Sequence, residues 1–159
     1  PVDFLENALP VLSAYNFKAT IFIVASKAGE ISDWRAQNLN RRLLDWGQLK
    51  EIAGMGHSIG SHSLHHCDLT MLTQKELDEE ISVSKSIIQE KLGVEADSFS
   101  YPWGLCAHRE MDSVKKAGYE CAVTVGGRWH NGYTTDHFAL ERISIEQRHS
   151  LDIFAKKLK

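Results

Sequence analysis

Ala19-Thr20-Ile21-Phe22-Ile23-Val24 is a short apolar run rich in β-branched and aromatic side chains. A run of this length and composition suits a strand buried on both faces, as the strands of parallel sheets are. Upstream, Phe4, Leu5, Ala8, Leu9 and Leu12 fall at helical spacing between Asp3 and Tyr15, and Asn16 stands where a helix would stop. Downstream, the polar stretch from Lys27 to Asn40 reads as a loop that carries Trp34. Leu43 to Met55 then reads as a second helix, closed by Gly54 and Gly56.

The same alternation runs on to the end of the chain. His57-Ser58-Ile59-Gly60-Ser61-His62 is strand-like and gives way to a polar loop. Thr73 followed by Glu76 forms a capping box that opens a helix with apolar positions at Leu77, Ile81, Ile87 and Ile88, ending near Gly93. Ser98 to Tyr101 predicts a strand, Met111 to Ala117 a helix stopped by Gly118, Cys121 to Val125 and Arg142 to Ile145 two more strands, and Ser150 onward a last helix. Helices alternating with strands imply βαβ units and a mostly parallel sheet, either a barrel or a doubly wound layer. An eight-unit barrel takes about 250 residues; with 159, a barrel here has fewer strands or is incomplete. No repeat, linker or low-complexity stretch divides the chain, so residues 1–159 read as one domain.

The bulk composition narrows the partners. With 43% hydrophobic and 25% charged residues the chain can bury one core. The formal charge is −3 and the basic residues are scattered, which leaves no electrostatic footprint for nucleic acid or an anionic membrane and favours neutral partners. No apolar run reaches the length of a membrane span, and the first residues show neither the basic nor the apolar region of a signal peptide. Cys67, Cys106 and Cys121 are odd in number and far apart, against both a disulfide framework and a thiolate zinc finger.

His62-Ser63-Leu64-His65-His66 follows the end of a predicted strand, the place where parallel folds build their sites. His62 and His66 are four residues apart and would share a face if the loop turned helically, with His65 pointing elsewhere; neutral imidazole is a preferred zinc ligand. Close pairs also arise by chance in a chain with eight histidines, so spacing alone leaves a metal site and a solvated loop both open. Tyr101-Pro102-Trp103 by itself reads as a rigid turn after a strand, with an aromatic ring on the core.

Taken together, these stretches resemble a known family. Gly60-Ser61-His62-Ser63-Leu64-His65-His66-Cys67-Asp68-Leu69-Thr70 is similar to the second motif of the polysaccharide deacetylases, the NodB-homology or family 4 carbohydrate esterases. Phe99-Ser100-Tyr101-Pro102-Trp103-Gly104 is similar to the third; Asn7 to Leu12, Ala19 to Val24 and Gly56 to His62 resemble the family's landmarks in order, and Gly118-Tyr119 through Leu140 to Ile143 resembles the pattern of one branch. The resemblance implies a distorted (β/α)7 barrel, TIM-barrel-like and NodB-type, and a hydrolase in which zinc-bound water removes acetyl groups from a polysaccharide or oligosaccharide containing N-acetylhexosamine. Chitin-like, peptidoglycan, poly-N-acetylglucosamine, exopolysaccharide and O-acetylated xylan chains all fit, and action in the cell envelope or outside the cell fits better than the cytoplasm. It implies His62 and His66 as ligands of zinc or another divalent transition metal, the Trp103 backbone N–H as an oxyanion donor, Tyr101, Pro102 and Trp103 at the substrate, and Trp129 as an aromatic wall.

Some of the pattern is missing. The family's first motif, which supplies a base aspartate and an aspartate ligand, belongs immediately before Pro1, so the chain is expected to be an N-terminally incomplete domain lacking its first strand; Asp3, beside a helix, fills neither role. Ser100 stands where many members carry an arginine that orients the base, Val125 where an aspartate is expected before Trp129, and His149 is the nearest match to the general-acid histidine. The alternative reading is a non-catalytic carbohydrate-binding relative that has lost the aspartates. A purely structural zinc is disfavoured, because a closed site needs four protein ligands and two are evident.

Overall fold

The computed structural model describes residues 1–32, 41–126, 135–146 and 148–157. Trp34 and Trp129 lie outside the described residues. Four strands, β1 (Thr20–Ile23), β2 (Ser58–Ser61), β3 (Ser98–Ser100) and β4 (Cys121–Val123), form one parallel sheet in the order β1-β2-β3-β4. A π-helical turn, Phe4–Ala8, runs into α1 (Leu9–Ala14), followed along the chain by α2 (Trp46–Gly54), α3 (Gln74–Leu92), α4 (His108–Lys116) and α5 (Leu151–Lys157).

Strict sequential order decides between the two architectures the alternation allowed. A doubly wound sheet reverses direction at a switch point, whereas a barrel advances one strand at a time. Curvature points the same way. Neighbouring strands sit about 4.8 Å apart, so on a flat sheet β1 and β4 would be roughly 14 Å apart. Yet the Arg142 guanidinium, from the chain beyond β4, lies 5.5 Å from the ring centroid of Phe22 on β1. The sheet therefore curls as a section of a barrel wall, and the far edge of β1 has no strand partner among the described residues.

Side chains alternate across the wall. Ile23, Ile59 and Phe99 face the helices, while Phe22, Gly60, Ser98 and Ser100 face the inside of the curl. Outside, one cluster packs Ile23 and Ile59 under Leu49 and Ile52 of α2 and Ile88 of α3; a second packs Phe99 and Ala122 under Leu77 and Ile81 of α3 and Val114 of α4. The long α3 thus belongs to both halves of the core.

Local signals set the helix ends. Thr73 and Glu76 make the expected capping box, and Gly93 closes α3 in a left-handed conformation at φ 68°. Asp45 and Gln48 form a second box, which starts α2 later than the apolar pattern suggested. The strand expected over Arg142 to Ile145 does not form: pairing with β4 comes at Leu140, which bridges Val123, and Arg142 instead sends its side chain back to the Thr124 carbonyl at 2.9 Å.

Gly60 is the tightest point of the wall, because a Cβ there would come within 2.6 Å of the Phe22 ring and of Ser98 Oγ. Gly60→Ala is expected to destabilise the fold by about 1–3 kcal/mol, the usual cost of overpacking. Urea denaturation checks this; an unchanged midpoint would mean that the inner face is looser than described.

Candidate active site

The site grows from the C-terminal end of β2. The His62 N–H donates to the Ile23 carbonyl at 2.7 Å, continuing the β1–β2 ladder, while its ring turns to β3, with Nδ1 2.6 Å from the Ser100 carbonyl. A carbonyl can only accept, so Nδ1 carries the proton and Nε2 keeps its lone pair. Burial lowers the His62 pKa to about 4; the Ser100 hydrogen bond opposes this, and the charges of His66 and Arg142 add to it. The ring is neutral at pH 7, as a metal ligand must be.

His66 reaches His62 by a route the spacing did not show. The loop makes no helical turn; Ser63 and His66 both take left-handed conformations, at φ 66° and 63°. Ser63 Oγ accepts the His66 N–H at 2.9 Å, and the two imidazoles meet edge to face with centroids 4.8 Å apart. Glu80 of α3 braces the loop from outside. Only 8% exposed, it accepts the N–H groups of Leu64 and His65 at 3.1 and 3.0 Å and pairs with the His65 ring, which accordingly points away from the pair. A glutamate on the buried stripe of α3, three residues after Leu77 and one before Ile81, was a signal in the sequence that this role leaves behind.

The turn after β3 supplies the opposite wall. Tyr101 is fully buried, its ring edge-on to Phe99 and its hydroxyl donating to the Phe138 carbonyl at 2.9 Å. Its side chain thus anchors the turn from the core, and Pro102 is buried beside it. Trp103 is 52% exposed and stands edge-on to His66 at 4.6 Å between centroids, on a left-handed backbone at φ 53°. Among the described residues its N–H donates to no acceptor. Gly104, at φ 74°, has no room for a Cβ against Val125, which fixes how the turn meets the end of β4.

His62, His66 and Trp103 line a cleft of about 520 Å³ together with Phe22, Val24 and Arg41. His149 does not line it; its Nδ1 accepts the Glu146 N–H at 3.0 Å in a turn before α5. Ser100, where an arginine stands in many relatives of the resembled family, receives one from elsewhere: Arg142 Nη2 donates to its hydroxyl at 2.9 Å. The two imidazoles can hold a divalent metal, and among the described residues no group of three or more His, Cys, Asp or Glu side chains gathers to complete a site.

Comparison with known proteins agrees with this geometry. The family model for polysaccharide deacetylases matches residues 1–122. The chain belongs to the polysaccharide deacetylase family. Among relatives, YxkH of Bacillus subtilis, named as a candidate polysaccharide deacetylase, is 31% identical over 122 residues, 77% of this chain and 40% of its own length. A poly-beta-1,6-N-acetyl-D-glucosamine N-deacetylase of Staphylococcus aureus is 24% identical over 149 residues, 88% of this chain and 49% of that protein. The chain thus spans half or less of the curated relatives it matches. The structure of the Streptococcus pyogenes deacetylase PplD in complex with acetate superposes at a TM-score of 0.84 with 22% identity, covering 99% of this chain and 66% of that one. A Bacillus cereus polysaccharide deacetylase gives 0.79 and 22%, over 97% and 47%. These structures share the fold.

The environment of His62 gives a pH expectation. An unfolded histidine titrates near 6.5, whereas folded His62 titrates at about 4. Between those values the unfolded chain takes up a proton that the folded one refuses, so His62's contribution to stability is full above pH 6.5 and is lost as pH falls toward 4. NMR titration of the metal-free protein should place the His62 midpoint well below 6.5; a midpoint at or above it would contradict the buried, neutral ring.

Proposed function

We propose that the protein to which this chain belongs is a zinc-dependent hydrolase that removes acetyl groups from a polysaccharide or oligosaccharide containing N-acetylhexosamine. The observation that carries this is the pair of imidazoles, His62 and His66, that meet just beyond the C-terminal end of β2 and line a cleft beside an exposed Trp103. Family membership supports the reaction class, and the name of the Staphylococcus aureus relative supports an N-acetylglucosamine polymer as the substrate class.

Two nitrogen donors suit zinc, and three protein ligands with an open position are the usual catalytic set. In this reading His62 and His66 provide two of them, and a carboxylate elsewhere in the full protein provides the third. Bound there, zinc would supply the Lewis acidity that polarises an acetyl carbonyl and acidifies the attacking water. The chain's own residues do the rest. Ser100 fixes His62 in the tautomer that leaves Nε2 available. The Trp103 N–H, held on a strained backbone by Pro102 and Gly104, faces the developing oxyanion, and its ring offers an apolar face to the acetyl group or sugar. No protein nucleophile is needed: burial raises the Cys67 thiol to about 11, far from the thiolate that attack requires.

The full-length protein, incubated with N-acetylglucosamine oligomers, should release acetate and a free amine. A chelator, His62→Ala or His66→Ala should reduce release to background, and either substitution should lower zinc stoichiometry, while serine- and thiol-directed reagents leave the rate unchanged. Chelator-resistant release, or a trapped acetylated side chain, would overturn the mechanism. No release from any acetylated glycan would move the assignment to a carbohydrate-binding protein.

A further inference from the structure

Arg109 is a cation in an unfavourable place. It stands in the first turn of α4, where the free N–H groups of a helix carry partial positive charge and favour acids over bases. Its side chain reaches away from that helix to the loop after β2. There Nη1 donates to the Leu72 carbonyl at 2.9 Å, and Nη2 to the carbonyls of Leu69 and Thr70 at 3.0 and 3.2 Å. These carbonyls belong to one short 3-10 turn, Leu69–Met71, and to the residue that ends it. A helix that short leaves its last carbonyls without partners of its own, and Arg109 satisfies them from another element.

Glu110 aims the arginine. It is 2% exposed, and its two oxygens accept the Arg109 Nε–H and the Ala107 N–H, each at 2.8 Å. A carboxylate so buried persists when it is paired and hydrogen-bonded, and here the pairing turns the planar guanidinium toward the loop. Asp68 closes the other end of the same turn, accepting the N–H and the hydroxyl of Thr70 at 3.0 and 2.7 Å.

The clamp joins the two halves of the candidate site. The 3-10 turn lies just beyond His66 on one loop, and Arg109 lies beyond Trp103 on the other. The two loops also meet where Leu69 packs in the cluster that holds Tyr101, and where the rings of His66 and Trp103 stand 4.6 Å apart. Apolar packing is non-directional and tolerates sliding; hydrogen bonds to three fixed carbonyls do not. Both His66 and Trp103 occupy left-handed backbones, which persist where contacts from outside hold them.

We propose that Arg109, aimed by Glu110, is a positioning residue that locks the loop of His66 to the turn of Trp103 and so sets how far the His66 imidazole stands from the Trp103 N–H. Its catalytic consequence rests on the deacetylase reading, whereas the coupling of the two loops needs neither metal nor substrate.

The experiment compares the wild-type full-length protein with Arg109→Gln and Arg109→Lys, well below the thermal midpoint of each. In metal-free protein labelled at histidine and tryptophan, NMR at fixed pH should show R109Q shifting the signals of the His66 ring and the Trp103 indole. The signals of His57, buried at the opposite end of β2, should stay in place. With zinc at saturation and N-acetylglucosamine oligomers as substrate, kcat should fall roughly 10- to 100-fold with KM little changed, as when reacting groups are misplaced by about an ångström. R109K keeps the charge without the planar fork and should fall between wild type and R109Q; it decides the matter alone if R109Q does not fold. A folded variant with wild-type kcat, with His66 and Trp103 signals unmoved, or with His57 shifted equally overturns the proposal even if its thermal midpoint falls, for the arginine then serves stability alone. Should the wild type release no acetate, the deacetylase reading fails by itself and the spectra judge the clamp: shifts confined to His66 and Trp103 support it, and unchanged or general shifts overturn it.

Discussion

A single hydrogen bond, from His62 Nδ1 to the Ser100 carbonyl at 2.6 Å, ties the chemistry of this chain to its fold. It exists because β2 and β3 run parallel with Ser61 opposite Phe99, which brings the residue after one strand beside the end of the next. The bond fixes the tautomer, aims Nε2 and holds the ring where burial keeps it neutral. A slip of one residue in that register would move His62 to the other face of the wall, among the helix-facing residues, and no loop adjustment would recover the site.

Everything around this bond removes freedom from the loop that carries the second imidazole. The backbone of β1 takes up the N–H of His62, and the turn that follows β1 donates to the carbonyls of Ser63 and Leu64. Glu80 holds the outside of the loop. Ser63 and His66 occupy left-handed backbones, which cost energy for residues with a Cβ and persist where surrounding contacts over-determine them. Trp103 is held in the same way, between a buried Pro102 and a Gly104 whose missing side chain makes room for Val125. Strain concentrates where His62, His66 and Trp103 meet, and the rest of the wall is relaxed strand and capped helix. That distribution is typical of a site whose geometry matters more than its stability.

The parts of this arrangement that were legible in the sequence are those decided by near neighbours. The strand over Ala19 to Val24, the Thr73 and Glu76 capping box and the stop at Gly93 each follow from a few adjacent residues. The histidine pair was visible through donor chemistry and position, but not the path by which the rings meet, because the left-handed turns at Ser63 and His66 depend on Glu80, Ser26 and β1 rather than on local propensity. The strand expected at Arg142 to Ile145 failed for a similar reason. Its apolar alternation looks extended, yet the guanidinium of Arg142 satisfies the Thr124 carbonyl that another strand would have used. The turn at Tyr101-Pro102-Trp103 was expected to put an aromatic ring on the core without showing which one, and packing against Phe99 takes Tyr101 inside and leaves the Trp103 indole exposed.

The proposed chemistry requires His62 and His66 to act as two ligands of one metal. Anomalous diffraction at the zinc edge, from crystals of the full-length protein grown without chelator, tests it directly. One zinc peak within about 2.0–2.1 Å of a ring nitrogen of each histidine, on the side of His62 away from Ser100, is the expected result. A zinc bound elsewhere, or an empty site in zinc-replete protein that still releases acetate, would contradict the account.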